Sequence, residues 1–117
     1  MAIQYPNINV DVQWPRYNVD VLPAQLKNTH RILLKYIHAL YSCDVALNFN
    51  LYFKQLYSDT EHMYQGTMPA NQTYFKQKLP IGMLCREFRF EIIGYQVTVC
   101  TIIEAGVLWL PKYVGQR

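Results

Sequence analysis

Apolar and polar side chains alternate one by one through long stretches of this chain, and that alternation restricts its fold more than any other feature. Ile8, Val10, Val12 and Trp14 fall on one parity; Asn7, Asn9, Asp11 and Gln13 fall on the other. A period of two separates a buried from a solvated face only in a strand. Pro15 and Arg16 break the pattern, and Tyr17, Val19 and Val21 resume it. The tetrapeptide Asn-Val-Asp-Val stands at 9–12 and again at 18–21. Two similar short strands account for this, since solenoid repeats run to roughly 20 residues or more. Val45, Leu47, Phe49, Leu51 and Phe53 predict a further strand over residues 44–55. Asn48 and Asn50 on its other parity are poor strand formers, which assigns that face to solvent or to an interface.

The last third reads as a hairpin. Phe88, Phe90 and Ile92 alternate up to Gly94, and Tyr95, Val97, Val99, Thr101 and Ile103 alternate after it. A type II′ turn at Gly94-Tyr95 puts glycine where positive φ is needed. In that register Cys85 faces Glu104 and Cys100 faces Arg89, which disfavours a Cys85–Cys100 disulfide. A second turn at Ala105-Gly106 and a last strand from Val107 to Leu110, limited by Pro111, complete the reading.

One segment carries a different spacing. Leu26, His30, Leu33, Ile37 and Leu40 recur every three or four residues. With Pro23 suited to a first turn and no Gly or Pro inside, residues 24–42 are expected to form a helix. Ser58 to Glu61 matches a capping box, predicting a helical turn over 59–65 ended by Gly66. Pro69-Ala70-Asn71 is read as opening another short helix that runs to Leu79 before Pro80. The expected architecture is one α+β domain over residues 1–117: an antiparallel sheet of about five to six strands with one main amphipathic helix packed on it.

The chain has 117 residues, of which 51% are hydrophobic, 15% aromatic and 16% charged, so it can bury a core and is not disordered. The net charge of +3 permits an acidic partner without demanding one. Three cysteines without a Cys-x-x-Cys pair argue against a disulfide framework or a structural zinc and are read as reduced, buried thiols. No basic-then-apolar leader is present, and the apolar run Ala105–Leu110 is too short to span a bilayer. The sequon Asn71-Gln72-Thr73 is therefore read as accidental, and a cytoplasmic or virion location without membrane insertion is expected.

Catalytic patterns fail one by one. There is no Gly-x-Ser-x-Gly, no His-Glu-x-x-His and no glycine-rich phosphate loop. Cys43 precedes Asp44, whose carboxylate disfavours a thiolate. His30, His38 and His62 have no metal-ligand spacing, and Asp11 and Asp20 read as the polar face of edge strands. No enzyme, cofactor, metal or small-molecule substrate is expected. Ten tyrosines remain, more than a core of this size needs, and tyrosine is enriched at interfaces. The leading expectation is a non-catalytic interaction or assembly protein that contacts itself or a host factor through Tyr17, Asn48, Asn50, Tyr52 and Trp109. A small viral or phage structural or accessory protein suits this composition. The alternative is a nucleic-acid-binding module. It would use a basic helix stripe of Lys27, Arg31, Lys35 and His38, extended by Arg86 and Arg89.

Overall fold

A computed structural model describes residues 8–55, 58–80, 83–97 and 99–114. Its strands are β1 (Ile8–Gln13), β2 (Tyr17–Asn18), β3 (His30–Cys43), β4 (Leu47–Lys54), β5 (Glu61–Met68), β6 (Tyr74–Lys78), β7 (Leu84–Cys85), β8 (Glu87–Val97) and β9 (Cys100–Tyr113). Among the described residues the helical content is one 3₁₀ turn, Val19–Val21, capped by Asn18, whose Oδ1 accepts from the Asp20 N–H at 2.8 Å. The α+β expectation is therefore wrong: the protein is built of two antiparallel sheets, with no main helix among the described residues. None of its described helical structure is long and apolar enough to cross a membrane.

The first sheet runs β1-β8-β4-β5, with β2 also on β8. In the second, β3 is central; β9 pairs along one edge from Cys43↔Cys100 to His30↔Tyr113, and β6 and β7 pair with β3 as well. The inward sides of the two sheets form one core. β3 contributes Ile32, Leu34, Ile37, Ala39, Tyr41 and Cys43; β4 contributes Leu47, Phe49 and Leu51; β8 contributes Phe88, Phe90 and Ile92. The chain changes sheets between β5 and β6, where Asn71 takes a positive φ of 59°, a conformation asparagine tolerates. Tyr41 pins that crossing by donating its hydroxyl to the Pro69 carbonyl at 2.7 Å.

The expected helix over 24–42 is a turn followed by β3. The inward residues 32, 34, 37, 39, 41 and 43 do alternate, but the register shifts between Leu34 and Tyr36. That β-bulge at Lys35 turns one step of two into a step of three, which imitates helical spacing. The expected turn over 59–65 is β5, and the expected helix toward Leu79 contains β6. The expected hairpin is also absent: β8 continues through Gly94, which lies opposite Val10, and pairs with β1 and β4, whereas β9 pairs with β3. Ala105, Gly106 and Pro111 lie inside β9 rather than at its ends. Val114 N–H donates to the Thr29 carbonyl. By antiparallel alternation the backbone of 113 and 111 then points away from β3, so Pro111 removes no donor from the ladder.

Candidate functional site

The two sheets have outer faces that differ in electrostatic character. On the first sheet, β4, β5 and β8 present Asn50, Tyr52 and Lys54 beside Gln65, Met63 and Glu61, and beside Glu91, Arg89 and Glu87. Cross-strand neighbours share a face, and here they neutralise one another. Arg16 Nη1 donates to Glu87 Oε1 at 2.6 Å, and Lys54 Nζ lies 3.1 Å from the same oxygen. Arg16 and Arg89 flank Glu61 at 3.5 and 3.1 Å. The Arg89 guanidinium stacks 3.7 Å from the centre of the Tyr52 ring. Tyr52 OH and Asn50 Nδ2 both donate to Glu91 Oε1, at 2.7 and 2.9 Å. Glu91 is thereby buried, at 6% exposure.

Burial pushes the Glu87 carboxyl up, but the hydrogen bonds and charges of Lys54 and Arg16 outweigh it and hold the group below its ordinary value. A depressed carboxyl stabilises the fold above its unfolded value and loses that contribution as pH falls through its folded value. Acid unfolding is therefore expected to steepen below about pH 4.3, the ordinary glutamate value. Glu87→Gln should flatten that limb in urea midpoints measured against pH; an unchanged acid limb would contradict the assignment.

The second sheet's outer face is built from three strands, and its rows run across β9, β3 and β6. Leu108, Tyr36 and Lys78 form one row; Gly106, His38 and Lys76 the next; Glu104, Leu40 and Tyr74 the third. Leu110 and Leu33 continue the face toward Lys112 and Arg31. Among the described residues, Arg31, Lys35, Lys76, Lys78 and Lys112 take part in no ion pair, whereas Arg16, Lys27, Lys54, Arg86 and Arg89 all do. Lys76 Nζ sits 4.3 Å above the Tyr36 ring. Lys35, Lys76 and Lys78 rim a groove of about 490 Å³ floored by Leu33, Tyr36, Leu79 and Pro80. Exposed aliphatic and aromatic side chains surround it: Leu40, Leu108, Leu110 and Tyr74, the last at 55% exposure.

The residues expected at an interface are separated by the fold. Asn50 and Tyr52 are engaged with Glu91, and Asn48 accepts from Thr67 Oγ1 at 3.3 Å. Tyr17 and Trp109 meet elsewhere, in an aromatic cleft of about 340 Å³ with Trp14, Phe88 and Phe90. Of the expected basic stripe, the strand carries Arg31 and His38, and Lys35 stands at the bulge between them. Lys27 pairs with Asp20 at 3.4 Å, Arg86 with Asp59, and Arg89 with Glu61. Lys76, Lys78 and Tyr74 form the β6 side of the face, and none is among the site residues expected from the sequence. The signal was present as Tyr74-x-Lys76-x-Lys78, a period of two inside a segment read as helical.

Groups suited to other chemistry stay apart. His30 contacts Tyr113 and Thr29, His38 faces Tyr36, and His62 lies against Phe53. Among the described residues no three His, Cys, Asp or Glu side chains gather as metal ligands would. No family model, curated protein or solved structure matches the chain.

Proposed function

We propose that the protein is a non-catalytic binding module that docks an acidic, aliphatic-bearing segment of a partner protein on the outer face of the second sheet. One observation carries this reading: the cations of the first sheet are neutralised in place, while those around the three-lysine groove are not. Cations left unpaired on an otherwise folded surface attract and orient an anionic partner. The leucines between them add the apolar contact that distinguishes a protein segment from a bare polyanion. The same positive sign opposes face-to-face pairing of two copies, so the partner is a different chain.

Tyr36 and Tyr74 beside Lys76 and Lys78 favour a second reading, a single-stranded nucleic acid held by charge and stacking. Fluorescence anisotropy separates the two. A labelled peptide alternating Glu and Leu is expected to bind, and to weaken severalfold between about 0.01 and 0.15 M salt as the Debye length shrinks from about 30 to about 8 Å. An oligothymidylate is expected to bind more weakly than the peptide. Tighter oligonucleotide binding with a steep log–log salt slope would select the second reading. Absence of binding by both probes at low salt would refute the proposal.

A further inference from the structure

Cys43 ends β3 and Cys100 begins β9, and the two are direct cross-strand partners. Two backbone hydrogen bonds fix the kind of pair they make. Asp44 N–H donates to the Val99 carbonyl at 3.1 Å, so the neighbouring pair is the hydrogen-bonded one. The Cys43 carbonyl points away from β9 and accepts from the Asn71 N–H at 2.9 Å. Cys43 and Cys100 therefore occupy a non-hydrogen-bonded position, where antiparallel strands hold opposed Cα atoms about 4.5 Å apart with their side chains close together. That separation lies inside the range of about 4.4–6.8 Å that a disulfide bridges. Both side chains turn to the core side, where Cys43 is a buried member and Cys100 packs against the cluster. Cys43 is buried and Cys100 is partly exposed, so one sulfur is reachable and the other is poised behind it.

We propose that Cys43 and Cys100 are a reversible disulfide site that cross-links the first residue of β9 to the last of β3. The chemistry is thiol–disulfide exchange with a low-molecular-weight disulfide such as oxidised glutathione. The Cys100 thiolate attacks one sulfur of the oxidant, forming a mixed disulfide and releasing one thiol. The Cys43 thiolate then attacks the Cys100 sulfur and expels the second. Two protein thiols become one disulfide, and one small disulfide becomes two small thiols. Cys85 takes no part: it lies opposite Ile32, eleven residues back along β3 from Cys43, a distance of roughly 35 Å. This also removes the Cys85–Cys100 pairing, though by a different register from the hairpin first expected. Burial, and then the interaction of its protonated form with the Cys43 side chain, push the Cys100 thiol up to about 12. Exchange is therefore slow at neutral pH and accelerates in base.

The test uses the full chain, incubated with oxidised glutathione at neutral pH and in mild base. The expected product has lost two hydrogen atoms by intact mass, and its non-reducing digest contains one peptide joining Cys43 to Cys100. It forms faster in base. Closing this loop should raise Tm by about 10 °C, an increase that dithiothreitol reverses. Cys100→Ser is expected to abolish the crosslink and the shift; Cys85→Ala keeps both. If Cys100→Ser does not fold, the digest of the unsubstituted chain decides alone. A linked peptide containing Cys85, a glutathione adduct on Cys100 that Cys43 never displaces, or thiols that stay reduced would each overturn the proposal.

Discussion

Phe49→Ala is expected to lower the unfolding free energy by about 3–5 kcal/mol, the cost typical of removing a fully buried phenylalanine ring. The ring has no solvent exposure. It lies 6.1 Å from Tyr64 and 6.3 Å from Phe90 in its own sheet, and 5.9 Å from Phe75 in the other, between ring centres. It therefore joins the two sheets, and no neighbour on one side can fill the void alone. Directly across from it is Gly66, and a Cβ added there would collide with the Phe49 ring carbons Cζ and Cε2. Gly66→Val should accordingly cost about 1–3 kcal/mol by overpacking. The two changes are coupled. In the Phe49→Ala background the valine enters vacated space, so the double variant should be more stable than the sum of the singles implies. Urea midpoints with unchanged slope measure all three. A loss under about 1 kcal/mol for Phe49→Ala would mean that the ring is not shared by both sheets.

That pair also shows what the sequence made readable. The alternation of Leu47, Phe49 and Leu51 was read directly, because no irregularity interrupts β4 and its inward parity is wholly apolar. The partner across from Phe49 was not readable. Gly66 looks like a helix stop after Ser58-Asp59-Thr60-Glu61, and only the facing ring explains a glycine in mid-strand. In β3 the inward set is as apolar as in β4, but one extra residue at Lys35 breaks the parity, and local patterning then favours a helix. β8 and β9 failed for a different reason. Their residues alternate as extended chain does, but the turns expected at Gly94-Tyr95 and Ala105-Gly106 lie inside the strands. Adjacency in sequence does not decide pairing when a chain switches sheets, and Gly94 is as compatible with a strand beside a register shift as with a turn.

The proposed binding face follows the same logic. Arg31, Lys35 and His38 were placed together for a helical reason, and they do stand along one strand because the bulge resets the parity between them. Lys76 and Lys78 could not be added to them without knowing that β6 pairs with β3. Arg86 and Arg89 carry the same charge in the sequence, but the fold gives each an acid: Asp59 for Arg86 and Glu61 for Arg89. Net charge therefore understates the contrast that matters, which is between cations with partners and cations without.

Reversing that contrast provides the largest functional effect. The triple variant Lys35→Glu/Lys76→Glu/Lys78→Glu is expected to weaken binding of the Glu-Leu peptide about a hundredfold or more. Three attractions become three repulsions at close range, and about 1.4 kcal/mol corresponds to each factor of ten. Stability should change little by comparison. All three lysines are exposed, and exposed substitutions usually stay within about 0.5 kcal/mol. Lys76 is the exception, since it also gives up its place over the Tyr36 ring, a contact worth about 0.5–1 kcal/mol at an exposed site. The complementary variant is Arg16→Ala/Lys54→Ala on the first sheet. It strips Glu87 of both partners and should lower the urea midpoint while leaving peptide affinity within about twofold. Loss of affinity in the first variant and of stability in the second would separate the two faces by role. Equal peptide affinity for the triple variant and the unsubstituted chain would remove the three-lysine groove from the site.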